Sequence, residues 1–301
     1  MSIEWPTVAL AATIYTLWFA IVLGHRSMPA PVTVVALGLV VAWHGSLQHE
    51  LLHGHPFGSP RANDALGAPP LSLRLPYRLY RRDHLLHHND DILTDPVKDR
   101  ESFYVDADAW AERSRLGRAI AVFHHSLLGR MLIGPIVANI STTRSQYREV
   151  RAGGRAVLRW WSTHAMGVAI VMIFVVGVAG MPAWVYLLGA GYLAHSVSLI
   201  RSYCEHRWVP GAASRSAVVR AGTFFSLLFL NNNLHHAHHA RPRAAWFRLP
   251  ALAQHLDSDA AAAEGAGLYH GYREVFGRFL LRPFDHPVHP ADRERAGLAA
   301  A

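Results

Sequence analysis

The sequence predicts an all-α integral membrane protein with four transmembrane helices in two hairpins and a cytoplasmic helical cap that carries clustered histidines. Two observations predict this fold. Of the 301 residues, 51% are hydrophobic, and many of them lie in long runs without charge. The 21 histidines, in contrast, are concentrated at the ends of these runs and in the polar segments that follow them.

A helix that crosses a bilayer needs roughly 20 predominantly apolar residues. Segments at about residues 6–24, 29–50, 162–180 and 182–200 meet this requirement. The residues before the first span, MSIEW, include an acid where a cleaved signal peptide has basic residues, so we expect this span to remain in the mature protein. We expect a single membrane domain over residues 1–301.

The net charge of +8 comes from arginines that lie between and beyond the spans, as in RLYRRD and REVRAGGRAVLR. By the positive-inside rule they place residues 44–161 and 201–301 in the cytoplasm. The charge therefore indicates a membrane surface rather than nucleic acid as a partner.

Residues 116–140 are apolar but interrupted by arginines and histidines, which predicts an interfacial or re-entrant helix rather than a fifth span.

Three histidine clusters have spacings that bring imidazoles together on a helix. In WHGSLQHELLHGH, His49 and His53 are i, i+4 neighbours with Cβ atoms about 5–6 Å apart, so both can bind one metal. In DHLLHHNDD and NNNLHHAHH the spacing is i, i+3, i+4, which places three rings on one helical stripe. These rings belong to His84, His87, His88, His235, His238 and His239.

Isolated histidines are interpreted as ordinary buried or interfacial polar groups. They are His25, His124, His125, His164, His195, His255, His270, His286 and His289. Clustered imidazoles are different, because they are costly to desolvate and repel one another when protonated. A bound metal offsets the cost of desolvation, and it prevents the repulsion because the rings that bind it are not protonated.

Composition restricts the ligands but not the metal. The single cysteine, Cys204, excludes a cysteine metal knuckle and an intramolecular disulfide, so the ligands must be histidines and carboxylates. Zinc takes about four ligands, fewer than the clusters offer, which indicates two ions. Imidazole suits zinc, copper, iron and nickel alike, so the ligand type leaves the metal open.

Two other functions have some support in the sequence. HELLH, residues 49–53, matches the HExxH signature of zinc metalloproteases, with Glu50 as general base, but a protease needs only one further ligand and leaves two HxxHH clusters unexplained. A histidine-rich metal transporter or metal-binding protein would need polar residues along a path through the spans. The spans contain few, chiefly His164 and His195.

The ordered set HELLH, HLLHH and HHAHH resembles the membrane fatty acid desaturases and their hydroxylase relatives. The resemblance covers roughly residues 40–250, and LTDPVKDRESFY and ARPRAAWFRLP, which follow the second and third clusters, look like bacterial members. It implies a multi-pass protein of the bacterial inner membrane with cytoplasmic termini and a cytoplasmic non-haem di-iron site. In this family one more histidine after the fourth span completes the ligand set, and His206 stands in that place.

The resemblance thus implies the metal ligands His49, His53, His84, His87, His88, His206, His235, His238 and His239. Neighbouring His44, His55 and His236 leave open which individual rings bind. Ser202 stands where the animal acyl-CoA branch has an asparagine that helps to hold the metals through water, so we expect different surroundings for the metals here.

A ligating histidine usually donates its other N–H to a carboxylate or a carbonyl. We expect polar residues beside the clusters to take this role. The candidates are Glu50, Asp83, Asp90, Asp91, Glu205 and Asn233.

The function that the resemblance implies is O₂-dependent oxidation of C–H bonds in a lipid chain. Fatty-acyl desaturation is the first interpretation, and hydroxylation or ketolation of an alkane, carotenoid or other lipid is the alternative. The chain has no HPGG haem segment, no nucleotide glycine fingerprint and no iron–sulfur cysteines, so electrons must come from a partner. We expect a ferredoxin or rubredoxin with its reductase, docked on the arginine-rich surface.

Overall fold

The computed structural model describes residues 3–89, 91–210 and 214–298, and these are mostly helical. Helices up to the third span are α1 (Trp5–Gly24), α2 (Ala30–Leu52), α3 (Pro60–Gly67), α4 (Tyr77–His87), α5 (Ala107–Ala111), α6 (Arg115–His124), α7 (Leu127–Arg151) and α8 (Arg155–Met172). Those that follow are α9 (Ala183–Tyr186), α10 (Ala194–Ser202), α11 (Thr223–Leu228), α12 (His235–Ala240), α13 (Leu249–His255), α14 (Ser258–Glu264) and α15 (Tyr272–Phe279).

The described residues contain four helical segments that are long and apolar enough to cross a membrane, as predicted. They are Trp5–Ser27, Ala30–Leu52, Arg155–Val178 and Ala183–Ser202. The third begins at Arg155 rather than at residue 162, because arginines at a helix end can lay their stems along apolar surface and keep the charge in water. α8 continues as a π-helix over Ile173–Val178, and a second π-helix, Leu187–Leu193, joins α9 to α10.

The described residues form two compact units within the following ranges. The first unit comprises Met1–Arg82, Pro135–Ser198 and Leu228–Leu230, and the second comprises Asp83–Gly134, Leu199–Leu227 and Asn231–Ala301. The arrangement of the spans as two hairpins and the single domain stay predictions.

In the first unit, small residues let the apolar helices approach closely. A Cβ added at Gly38 would lie 2.7 Å from the Leu193 side chain, and one at Gly189 would lie 2.9 Å from the Cβ of Leu37. Such small-residue contacts are the usual means of helix packing in lipid. Apolar side chains gain little free energy there by exchanging lipid contacts for contacts with another helix. Outward-facing residues such as Ile170 remain 68% exposed, as expected for a surface that contacts acyl chains.

In the second unit, a two-stranded parallel sheet holds the helix of the third histidine cluster. Strand β1 (Val218–Val219) pairs with strand β2 (Leu268–Tyr269). The Val219 N–H donates to the Asn233 carbonyl at 2.8 Å, and the Asn233 side-chain amide donates to the Val219 carbonyl at 2.8 Å. These bonds tie the start of α12 to β1, a feature that the all-α prediction did not contain.

The apolar stretch predicted as one interfacial or re-entrant helix over residues 116–140 is divided between α6 and α7. The break falls at Ser126, whose hydroxyl donates to the Phe123 carbonyl at 2.7 Å and accepts the Gly129 N–H at 3.1 Å. A serine that caps one helix end competes with the helical hydrogen bonds around it, which explains the break. An interfacial position for these helices stays a prediction.

Candidate metal centre

The second histidine cluster lies at the end of α4, where two carboxylates fix its rings. His84 Nδ1–H donates to Glu101 Oε1 at 2.8 Å, and His87 Nδ1–H donates to Asp99 Oδ1 at 2.9 Å. A carboxylate bound to Nδ1 holds the ring in one orientation and leaves Nε2 for a metal. Both His84 and His87 are buried.

The loop after α4 folds so that these carboxylates reach the rings. Asp99 is buried, and its Oδ2 accepts the Thr94 N–H at 3.0 Å while its Oδ1 accepts the Glu101 N–H at 2.9 Å. Sequence reasoning missed both acids, because it considered only carboxylates next to the clusters. The signal that could have found them is the acid-rich segment LTDPVKDRESFY shortly after HLLHH.

The third cluster lies on α12 and has its own acceptors. His235 Nδ1 is 3.2 Å from the Asn232 carbonyl oxygen and 3.4 Å from Glu205 Oε1. The Asn232 amide donates to the same Glu205 oxygen at 3.3 Å, and Arg201 Nη1 lies 3.0 Å from it. Glu205 was among the predicted acids, whereas the amide beside His235 belongs to Asn232 and not to the predicted Asn233.

His206, the ligand suggested by the resemblance, is held by the segment that follows α10. Its Nδ1–H donates to the Arg215 carbonyl at 3.2 Å, within a short antiparallel bridge between His206 and Ser216. The Ala217 N–H donates to the Glu205 carbonyl at 2.9 Å, which extends the same pairing. The backbone therefore fixes the direction in which His206 Nε2 points.

The ring nitrogens of these segments converge in the second unit. His206 Nε2 lies 2.9 Å from His87 Nε2 and 2.9 Å from His235 Nε2. One ligand nitrogen from each of His87, His206, His235 and His239 lies within 4.8 Å of the others. Ligands that share one ion at a metal–nitrogen distance of about 2.0–2.1 Å are separated by roughly 2.9–3.4 Å, so the spacing fits a metal.

A second group of rings adjoins the first. His88 Nε2 lies 3.0 Å from His84 Nε2 and 3.1 Å from His238 Nε2. The ring centroids of His88 and His239, one from each group, are only 4.3 Å apart. The second unit therefore contains two adjacent groups of imidazoles, which is the arrangement expected for two neighbouring ions.

Hydrogen bonds alone do not account for these contacts. The Nδ1 atoms of His206 and His235 both face carbonyl oxygens, which only accept, so each Nδ1 carries the proton and each neutral ring has a bare Nε2. Two bare nitrogens 2.9 Å apart repel unless a cation lies between them. His239 adds the same evidence, because both of its ring nitrogens are buried without a hydrogen-bond partner among the described residues.

Burial keeps most of these rings in the neutral form that binds metal. It lowers the pKa of His206, His235 and His239 well below the usual value, with further lowering by neighbouring histidines. Burial also acts to lower the pKa of His87, but Glu101 and Asp99 outweigh it and raise that pKa to about 9. The same carboxylates would strengthen His87 as a ligand once a metal replaces the Nε2 proton.

The first cluster lies at the end of α2, in the first unit. His49 and His53 are buried, and their ring centroids are 4.9 Å apart, as the i, i+4 spacing predicts. Glu50 is buried as well, and its Oε1 lies 3.9 Å from His55 Nε2. Within this unit the pair can supply two imidazoles to one metal.

Three further histidines lie next to the clusters in the sequence and could have replaced a predicted ligand, but they make other contacts. His44 Nε2 lies 3.1 Å from the Tyr15 hydroxyl, and His55 Nδ1–H donates to Glu4 at 2.8 Å. His236 Nδ1 lies 2.8 Å from the Ser258 hydroxyl. The structure does not bring His236 into either group of the second unit, although it follows His235 directly.

The remaining predicted acids have different positions. Asp83 Oδ2 pairs with Arg100 Nη1 at 3.3 Å, and Asp91 is exposed. Asp90 lies outside the described residues.

Fold and site together define a helical membrane protein with histidine clusters able to bind metal. A profile of the fatty acid desaturase family, described as Fatty acid desaturase, matches residues 26–272. The chain belongs to this family, which makes it a lipid desaturase- or hydroxylase-type oxidoreductase of a typically metal-dependent kind. A search of individually curated proteins finds no match.

Proposed function

We propose that the chain is an O₂-dependent di-iron oxidoreductase that desaturates a fatty-acyl chain in the membrane. The observation that carries the proposal is the set of Nε2 atoms around His206, which face one another at 2.9 Å while acceptors occupy their Nδ1 atoms. Membership of the desaturase family supports the class of reaction.

The proposed ligand sets follow from the two groups of rings. One ion would be held by His87, His206, His235 and His239. The other would be held by His84, His88 and His238, completed by His49 and His53 from α2. Iron fits these residues because imidazole is a good ligand for it, and so many imidazoles exceed what a single four-coordinate zinc site employs.

When bound, the irons would supply oxygen activation and removal of hydrogen from an unactivated methylene. The protein's own contribution is to orient the rings. Asp99 and Glu101 hold His87 and His84, and Glu205 with Asn232 holds His235. The Asp99 carboxylate in turn accepts two backbone N–H groups, and that of Glu205 lies 3.0 Å from Arg201 Nη1. The rings of His87 and His235 are therefore positioned before any metal arrives.

Electrons would come from an external one-electron donor, a ferredoxin or rubredoxin with its reductase. The positive charge of the chain supports an acidic partner by electrostatic complementarity. We further propose that the four spans form two hairpins in a bacterial inner membrane, with the histidine clusters and both termini on the cytoplasmic side.

The proposal is tested by expressing the chain with a donor system in a bacterial host and analysing its lipids by gas chromatography and mass spectrometry. We expect a new unsaturated acyl species under air that is absent under argon. His206→Ala should abolish the product, and His270→Ala, which alters a histidine outside the clusters, should retain it. A hydroxylated product without an alkene would show that the enzyme is a hydroxylase. Activity of both variants at equal levels would contradict the assigned site.

A further inference from the structure

A small cavity lies in the second unit beside the candidate metal centre. The space open to the centre of a water-sized sphere is about 30 Å³. One water molecule needs roughly 10–15 Å³ by this measure, so the cavity has room for one or two waters. Its wall includes His206 together with Asp99 and Glu101 from the metal centre. Thr94 and Arg130 line the same cavity.

Arg130 is a buried cation whose guanidinium is only partly satisfied. The residue is 2% exposed, its Nε donates to the His124 carbonyl at 3.2 Å, and its Cζ lies 3.3 Å from the centre of the Phe103 ring. Its Nη1 is buried without a hydrogen-bond partner among the described residues. A buried charge without such partners is costly, and burial here lowers the pKa of Arg130 to about 9.

Thr94 provides a second polar atom of the same kind. It is 2% exposed, and its Oγ1 is buried without a hydrogen-bond partner in the described part of the chain. Its backbone N–H donates to Asp99 Oδ2 at 3.0 Å, which fixes the residue against the metal centre. Water can satisfy both Arg130 and Thr94, whereas an anion in the cavity would meet several carboxylates in its wall.

The cavity also has a polar connection toward the surface. The Tyr104 hydroxyl donates to Asp285 Oδ2 at 2.9 Å, and both residues line the cavity. The Asp285 side chain is 11% exposed and pairs with Arg293 and with Arg207 Nε, the latter at 3.7 Å. Polar groups thus run from the surface, at Asp285, to the wall that contains His206.

We propose that this cavity is an internal water site through which protons reach the metal centre. The proposal rests on the proposed function, in which one turnover consumes O₂, two electrons from the external donor and two protons, converts CH₂–CH₂ into CH=CH and forms two waters. Waters held by Arg130 Nη1 and Thr94 Oγ1 connect the Tyr104 hydroxyl with the wall formed by His206 and Asp99. Hydroxylation has the same need for two protons, so the site serves either product.

The first test detects bound water and needs no turnover. The purified protein in lipid nanodiscs is exposed to pulsed X-rays in ¹⁸O water, and oxidation of each residue is measured by mass spectrometry. We expect Tyr203, which lines the cavity and is 2% exposed, to be labelled several-fold faster than Tyr186, a tyrosine that is 0% exposed in the first unit. Equal labelling of the two tyrosines would overturn the proposal.

The second test measures proton supply in the reconstituted holoenzyme. Thr94→Val keeps the shape of the side chain and removes its hydroxyl, and Thr33→Val makes the same change at a buried threonine of α2. We expect Thr94→Val to raise both the peroxide released per O₂ consumed and the solvent isotope effect several-fold, with Thr33→Val at the wild-type values. If Thr94→Val releases no more peroxide per O₂ consumed than the wild type and has the same solvent isotope effect, the proposed route is overturned.

The two tests separate this proposal from the proposed function. If the wild-type chain forms no oxidised lipid, the proposed function fails, and the labelling experiment still reports whether the cavity holds water. A chain that is fully active but labels Tyr203 no faster than Tyr186 would retain the function and lose the water site.

Discussion

At the scale of single residues, the site depends on what each imidazole does with its second nitrogen. His84, His87, His206 and His235 each direct Nδ1 toward an oxygen that only accepts, and direct Nε2 toward another ring. This arrangement holds a proton on Nδ1 of each ring and leaves Nε2 as the nitrogen that a metal can bind. The acceptors are therefore as informative about function as the histidines themselves.

Asp99→Asn should weaken metal binding by about 10–100-fold, the usual effect of losing an outer partner of a ligating histidine. The amide cannot accept hydrogen bonds at both former oxygens, so it cannot keep the bonds to His87, Thr94 and the Glu101 N–H together. Iron titration of the metal-free protein measures the change. Asp108→Asn, at a side chain that is 85% exposed, is the control and should bind as the wild type does. Equal affinity in both variants would exclude this role for Asp99.

At the scale of elements, the histidines that share a helix could be predicted from their spacing. The loops and short strands between the helices could not be predicted. The i, i+3, i+4 pattern is local, so it correctly brought His84 near His88, the residue that follows α4, and His235 near His238 on α12. Asp99 was not predicted because its position depends on a loop, and a loop has no periodic sequence pattern. The short sheet that holds α12 was missed for a similar reason, since two-residue strands give no alternating signal.

Gly129→Ala tests the turn between α6 and α7. A Cβ at Gly129 would lie 1.8 Å from the Phe123 carbonyl oxygen, so the backbone must shift, at a cost of about 1–3 kcal/mol typical of overpacking. We expect a lower midpoint in thermal unfolding followed by fluorescence-detected size exclusion. Gly277→Ala, within α15 where an added Cβ meets nothing within 4 Å, should be neutral or stabilising. A midpoint for Gly129→Ala as high as that for Gly277→Ala would contradict the described turn.

At the scale of the whole molecule, hydropathy carried the prediction furthest, whereas the orientation inferred from charge stays a prediction. Four spans follow from the lengths of apolar runs, since the backbone in lipid must satisfy its own hydrogen bonds and therefore forms helices. His206 required a resemblance, because a lone histidine after a span has no distinctive spacing. The contribution of His49 and His53 to the same centre as the other rings stays a prediction, based on their spacing and on the family pattern.

The orientation of the chain can be tested by labelling single cysteines in cells. In a Cys204→Ala background, Ser27→Cys lies in the exposed turn between α1 and α2, and Arg273→Cys lies on the exposed side of α15. By the positive-inside rule, a membrane-impermeant maleimide should label the first in intact cells and the second only after permeabilisation. The opposite pattern would place the histidine clusters outside the cytoplasm.

The central claim, that converging imidazoles hold a pair of irons, is tested most directly by counting metal in the purified protein. Elemental analysis of protein produced with ample iron should give about two irons per chain, as the two adjacent groups of rings predict. His206→Ala, which removes the ring nearest to both His87 and His235, should lower the count by about one iron while His270→Ala leaves it unchanged. A single zinc per chain, or an iron content that His206→Ala does not alter, would contradict the account.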